Sequence, residues 1–130
     1  MTTQRAKGPF AVKLAPLAME PGAVTGRMSI DKTFEGDLTG TSVGQMLAFQ
    51  TADKTSGGYV AIEQVTGTLH GRRGAFFLQH FATMDRGAPS MNIIVVPGSG
   101  TGELEGLKGK LTIEIAAGGA HSYVLDYELP

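Results

Sequence analysis

Glu63 and His80 are ionisable side chains set in β-rich, otherwise apolar stretches, Tyr59-Val60-Ala61-Ile62-Glu63-Gln64-Val65 and Phe76-Phe77-Leu78-Gln79-His80-Phe81-Ala82. A carboxylate and an imidazole held together away from water perturb each other's protonation, which makes a candidate general acid/base pair. Their positions depend on a hairpin. Tyr59 to Leu69 and Ala75 to Met84 form two long strand signals joined by Gly71-Arg72-Arg73-Gly74. A two-residue loop at Arg72-Arg73 sets Glu63 opposite Ala82 and His80 opposite Val65, and a loop at Gly71-Arg72 sets Glu63 opposite His80. In either register both groups share one face with Tyr59, Val65, Leu69, Phe76, Leu78 and Ala82, because residues two apart in a strand point the same way. The competing reading is a structural pair, in which Glu63 and His80 satisfy each other in the interior and do no chemistry.

The surrounding side chains sketch a pocket. Tyr59, Val65, Phe76, Leu78 and Tyr123 are the candidate ligand-binding residues, with Tyr127, Gln79 and Gln45 as weaker ones and Arg72-Arg73 as a solvated turn. Other chemistries lack their residues. There is no cysteine, so no disulfide, thiolate metal site or thiol nucleophile. His70, His80 and His121 lack metal-ligand spacing, and no metal or cofactor is expected. The glycine-rich run from Pro97 to Gly109 could suggest a phosphate cradle, but Gly106 and Gly109 interrupt the helix that such a cradle must open. Ser99 has Pro97 and Thr101 where a nucleophile elbow needs glycines, so the run reads as a turn between strands.

Strands must carry these residues. Phe10 to Met19, Arg27 to Phe34, Thr41 to Gln50, the hairpin pair, Met91 to Val96, Leu111 to Ile115 and Ser122 to Leu129 alternate or run apolar, separated by turn residues such as Pro21-Gly22 and Gly118-Gly119. Gly-x-Leu-x-Gly occurs three times, at Gly36 to Gly40, Gly67 to Gly71 and Gly102 to Gly106, removing side chains where strands bend or approach closely. About eight strands and no long helix predict an all-β fold, an eight-stranded antiparallel up-and-down barrel wide enough for one small ligand. A flattened β-sandwich is the alternative. The 130 residues fit a single domain, 1–130, with 1–8 read as a disordered leader. Eleven basic against twelve acidic residues provide no basic stripe, so nucleic acid is not an expected partner. No secretory or membrane-spanning segment is apparent, which predicts a cytoplasmic protein without a membrane partner.

Three stretches carry a family resemblance: Phe34-Glu35-Gly36-Asp37-Leu38-Thr39-Gly40, Thr66 to His80, and Val96-Pro97-Gly98-Ser99-Gly100-Thr101-Gly102-Glu103-Leu104. Together they resemble the bacterial domain-of-unknown-function family 3224, over nearly the whole chain from Phe10 to Leu129. The resemblance implies the barrel of allene oxide cyclase, which is calycin-like. The Ser99-Gly100-Thr101-Gly102 corner is similar to the Gly-Gly-Thr-Gly corner of dirigent proteins and allene oxide cyclases. The family implies no established reaction. Relatives in the barrel superfamily shape reactive small molecules for cyclisation or coupling in a hydrophobic cavity, and Glu63 is a loose counterpart of the pocket glutamate of allene oxide cyclase. Three functions remain open on this reading: an isomerase or cyclase acting on a small apolar ligand, a non-catalytic carrier or sensor, and a structural, homo-oligomer-forming barrel with a filled interior.

Overall fold

In a computed structural model, which describes residues 2–130, the alternating segments become strands and no helix forms among the described residues. The strands are β1 (Gln4–Pro16), β2 (Gly26–Phe34), β3 (Leu38–Gln50), β4 (Gly57–Leu69), β5 (Arg72–Asp85), β6 (Ala88–Val95), β7 (Thr101–Gly102), β8 (Lys108–Ile115) and β9 (His121–Glu128). Each long strand pairs antiparallel with its neighbours in sequence, and β1 pairs with β9, so eight strands close on themselves. The two-residue β7 is extra and lies against Gly74 and Ala75 of β5. This is the expected all-β up-and-down barrel, and closure rules out the sandwich.

The first strand starts earlier than expected. Residues 4–8, read as leader, belong to β1, whose Gln4 to Phe10 pair with Tyr127 to His121. Small residues concealed the pattern: Ala6 and Gly8 continue the inward alternation of Phe10, Ala6 is fully buried, and a Cβ at Gly8 would stand 2.9 Å from the Tyr123 hydroxyl.

One end of the barrel is packed solid. Leu38, Leu69 and Leu104, the central residues of the three Gly-x-Leu-x-Gly repeats, are all fully buried in one apolar cluster with Phe34, Phe76 and Tyr123. Glycines let their strands close around them: Gly40 faces Gly67, where a Cβ on either would come within 2.2 Å or 2.1 Å of the opposing carbonyl oxygen. The glycine-rich run after β6 folds over this end as a plug, seating Leu104 and Leu107. Ser99 Oγ anchors it by donating to the Val96 carbonyl at 2.6 Å and accepting from the Phe77 amide at 3.0 Å.

The hairpin turn differs from both expected registers. It consists of His70 and Gly71, since Leu69 pairs with Arg72, and both turn residues have positive φ, 45° and 81°. That is the requirement of a tight hairpin turn matched to strand twist. The arginines expected at the tip are therefore the first residues of β5. The displacement from either expected register is an even number of residues, so every side chain keeps its expected face. Glu63 now lies opposite Leu78, and His80 opposite Ala61.

Candidate functional site

Four inward side chains from four adjacent strands meet at mid-barrel: Lys32 of β2, Ser42 of β3, Glu63 of β4 and His80 of β5. All are buried, and Glu63 has no exposed surface. Glu63 is the hub. Its Oε2 accepts from Lys32 Nζ at 2.8 Å and contacts His80 Nε2 at 2.5 Å, and its Oε1 accepts from Ser42 Oγ at 2.7 Å. Glycine makes room for it, because Gly44 is its partner on β3 and a Cβ there would stand 2.6 Å from the Glu63 Cα. Lys32 Nζ also rides over the rings of Phe10 and Phe34, 5.3 Å and 5.9 Å from their centroids, so aromatic faces share in holding the cation.

Burial pushes the Glu63 carboxyl up, but hydrogen bonding from His80, the charge and hydrogen bond of Lys32 and the Ser42 hydroxyl together outweigh it and bring the pKa from 4.5 to about 2. Glu63 is thus a fixed anion. In neutral His80 the hydrogen on Nε2 faces that carboxylate, which leaves the Nδ1 lone pair as an acceptor. Nδ1 lies 3.4 Å from the Tyr59 hydroxyl. Burial, and next the Glu63 charge, push the Tyr59 phenol up, so it stays protonated and serves as a hydrogen-bond donor.

Tyr59 connects this network to open space. The end of the barrel opposite the plug holds a cavity of about 350 Å³ whose walls include Met46, Ala48, Tyr59, Ala82, Met84 and Met91. Of the expected ligand-binding residues, the structure brings only Tyr59 to this cavity. Val65, Phe76, Leu78 and Tyr123 lie in the packed core instead. Alternation assigns a side chain to the interior but not to a height along the barrel, and these four sit at and below the polar layer. Tyr123 is a strut: its hydroxyl accepts from the Leu38 amide at 2.8 Å and lies 2.7 Å from the Glu35 carbonyl oxygen. Tyr127 likewise meets His70 Nδ1 and Gln4 at the closed end. Among the described residues no three His, Asp or Glu side chains converge as a metal ligand set.

Lys32 and Ser42 were not identified from sequence. Lys32 shares parity with Met28, Ile30 and Phe34 in a plainly alternating strand, so a charged residue at an inward position was readable as a partner for Glu63. Ser42 was hidden because β3 is apolar on its outer face, with Val43, Leu47 and Phe49 exposed.

Fold and site together define a small closed β-barrel with a solid end, an open apolar end and a buried ionic layer between them. The chain belongs to the DUF3224 family of proteins of unknown function, whose family model matches residues 6–127. It is also similar to a protein of unknown function from that family of Shewanella oneidensis MR-1, whose crystal structure at 1.84 Å superposes with a TM-score of 0.93 at 44% identity, covering 99% of this chain and 98% of that one. No curated protein matches the chain.

Proposed function

We propose that the barrel encloses a small, mostly apolar molecule at its open end and presents the Tyr59 hydroxyl to a polar group on that molecule, so that proton exchange through Tyr59 and His80, with Glu63 as the fixed anion that holds the imidazole, isomerises or cyclises it. The carrying observation is that Tyr59 belongs both to the wall of the 350 Å³ cavity and to the buried ionic layer. With its hydrogen directed at His80 Nδ1, the Tyr59 oxygen at the floor of an apolar cavity accepts from a hydroxyl on the ligand, and the histidine held by a carboxylate behind it can take or return the proton. The setting we assign is the bacterial cytoplasm.

A carrier or sensor function is the second reading. It is favoured by the full burial of Glu63 and by its three contacts with Lys32, Ser42 and His80, which engage both carboxylate oxygens with protein donors rather than a ligand. Purifying the protein natively and identifying by mass spectrometry what accompanies it supplies the ligand. Ala82→Phe, which adds a ring to the cavity wall directly opposite Tyr59, should abolish binding of a fluorescent hydrophobic probe while the β-type circular dichroism is kept. Unchanged probe binding by the folded variant would remove the ligand from this end. With ligand in hand, retained binding but lost turnover in Tyr59→Phe and Glu63→Gln supports the isomerase, whereas absence of turnover in the unmodified protein selects the carrier.

A further inference from the structure

The outside of the barrel has two unlike halves. On β1, β2, β8 and β9 the outward positions carry Arg5, Lys13, Asp31, Lys110, Glu114 and Asp126. On β3 to β6 the charged residues are the buried Glu63 and His80 and, at the ends of β5, Arg72, Arg73 and Asp85. Between those ends, Val43, Leu47 and Phe49 of β3, Val60 and Ile62 of β4, Phe77 and Phe81 of β5 and Ile94 of β6 are each between 36% and 60% exposed. These strands are consecutive neighbours, so the eight side chains form one sheet face. None of them belongs to the buried core, and of the eight only Phe49, at the rim, also borders the cavity.

We infer that this face binds a second copy of the chain, forming a two-fold symmetric dimer with β4 and β5 at its centre. The area fits. Three phenylalanines of about 200 Å² and five smaller aliphatic side chains, each roughly half exposed, together offer on the order of 700 Å², close to the roughly 800 Å² that one partner contributes to an interface of standard size. Depletion of charge with enrichment in phenylalanine is the composition of an interface core, and a patch this large is uncommon on a monomer. A single continuous patch that pairs with itself gives a closed, isologous pair rather than a ring or filament.

The polar groups within the face point to protein rather than lipid. Gln45, Gln64 and Gln79 stand among the apolar side chains, opposite Ile62, Phe77 and Ile94 respectively where they pair across the sheet. Their amides carry donors and acceptors that two copies satisfy reciprocally and that lipid tails leave unmet. A groove at the edge of the face is lined by Leu47, Val60, Ile62, Gln45, Gln79 and Arg27, and Arg27 Nε is buried without an acceptor among the described residues. An oxygen from the second copy would satisfy it. A membrane-spanning barrel would need its apolar band on all sides, which the charged half denies.

Sedimentation equilibrium at micromolar concentration should give twice the chain mass of 13.6 kDa. Phe81→Lys and Ile62→Lys, both at outward positions, should each give the single-chain mass with β-type circular dichroism intact, while Lys13→Glu on the charged half should remain a dimer. If the lysine variants fail to fold, hydroxyl-radical labelling of the unmodified protein answers the same question: oxidation of Phe49, Phe77 and Phe81 should fall severalfold from dilute to concentrated solution. A single-chain mass across the whole range, a three-chain mass, a folded Phe81→Lys variant that stays dimeric, or labelling that ignores concentration would each overturn the dimer. So would a monomer that sediments with phosphatidylcholine vesicles, which would assign the face to a membrane.

Discussion

At the scale of the residue, Glu63 holds the site together, and its protonation should govern stability in acid. Its carboxyl takes up a proton less readily in the fold, where its pKa is about 2, than in the unfolded chain at 4.5. The stabilisation is therefore complete above pH 4.5 and is lost as pH falls from there toward 2, an effect of roughly 3 kcal/mol. Urea unfolding between pH 6 and pH 2 should show this loss, and Glu63→Gln should flatten it over the same window. Glu63→Ala is a harsher change, because it strands Lys32 at 2.8 Å from where its counter-charge was. That variant should lose about 3–5 kcal/mol at neutral pH, the cost of a buried charge without its partner.

At the scale of the element, the hairpin of β4 and β5 sets the site through a turn that only certain residues can make. Gly71 has φ of 81°. A β-branched side chain there is strained, and Gly71→Val should destabilise the fold by roughly 1–3 kcal/mol, read as a lower midpoint of thermal unfolding. The same hairpin shows what could be read from the chain. The common face of Glu63, His80 and Tyr59 followed from parity, which survives any even displacement of register. The turn itself was misplaced because Arg72-Arg73 between two glycines is a good turn by composition, whereas the structure uses a histidine in the left-handed region, its amide donating to the Asp37 carbonyl at 2.9 Å. Strand β3 was harder still. In its middle the outer face bears Val43, Leu47 and Phe49 while the inner face has Gly40, Ser42 and Gly44 between Leu38 and Met46, so hydrophobicity alone could not find the serine that binds Glu63. The height of each inward residue along the axis also escaped, since it depends on strand stagger around the whole barrel.

At the scale of the molecule, the two ends of the barrel have separate duties and should respond separately to mutation. Leu104 is fully buried in the plug, far in function from the cavity at the other end. Leu104→Ala should cost about 2–5 kcal/mol of stability, the usual range for a buried leucine, yet leave hydrophobic-probe binding unchanged in the protein that remains folded. Paired with Ala82→Phe, which should block the probe at little cost in stability, it separates the end that holds the fold from the end that holds a guest.

The seam between β1 and β9 also bears on how the chain reaches its native state. Gln4 to Phe10 find their strand partners across the seam at Tyr127 to His121, so the first strand of the barrel waits for the last. Until that strand arrives, β1 and β8 present unpaired edges, and the outer apolar face is already formed on the strands between them. Closure joins residues separated by nearly the entire chain, the slow kind of contact in folding. Nascent or refolding chains should therefore pass through an open, curled sheet that is prone to associate, and the zipping of this one seam should set the rate at which the barrel becomes safe from aggregation.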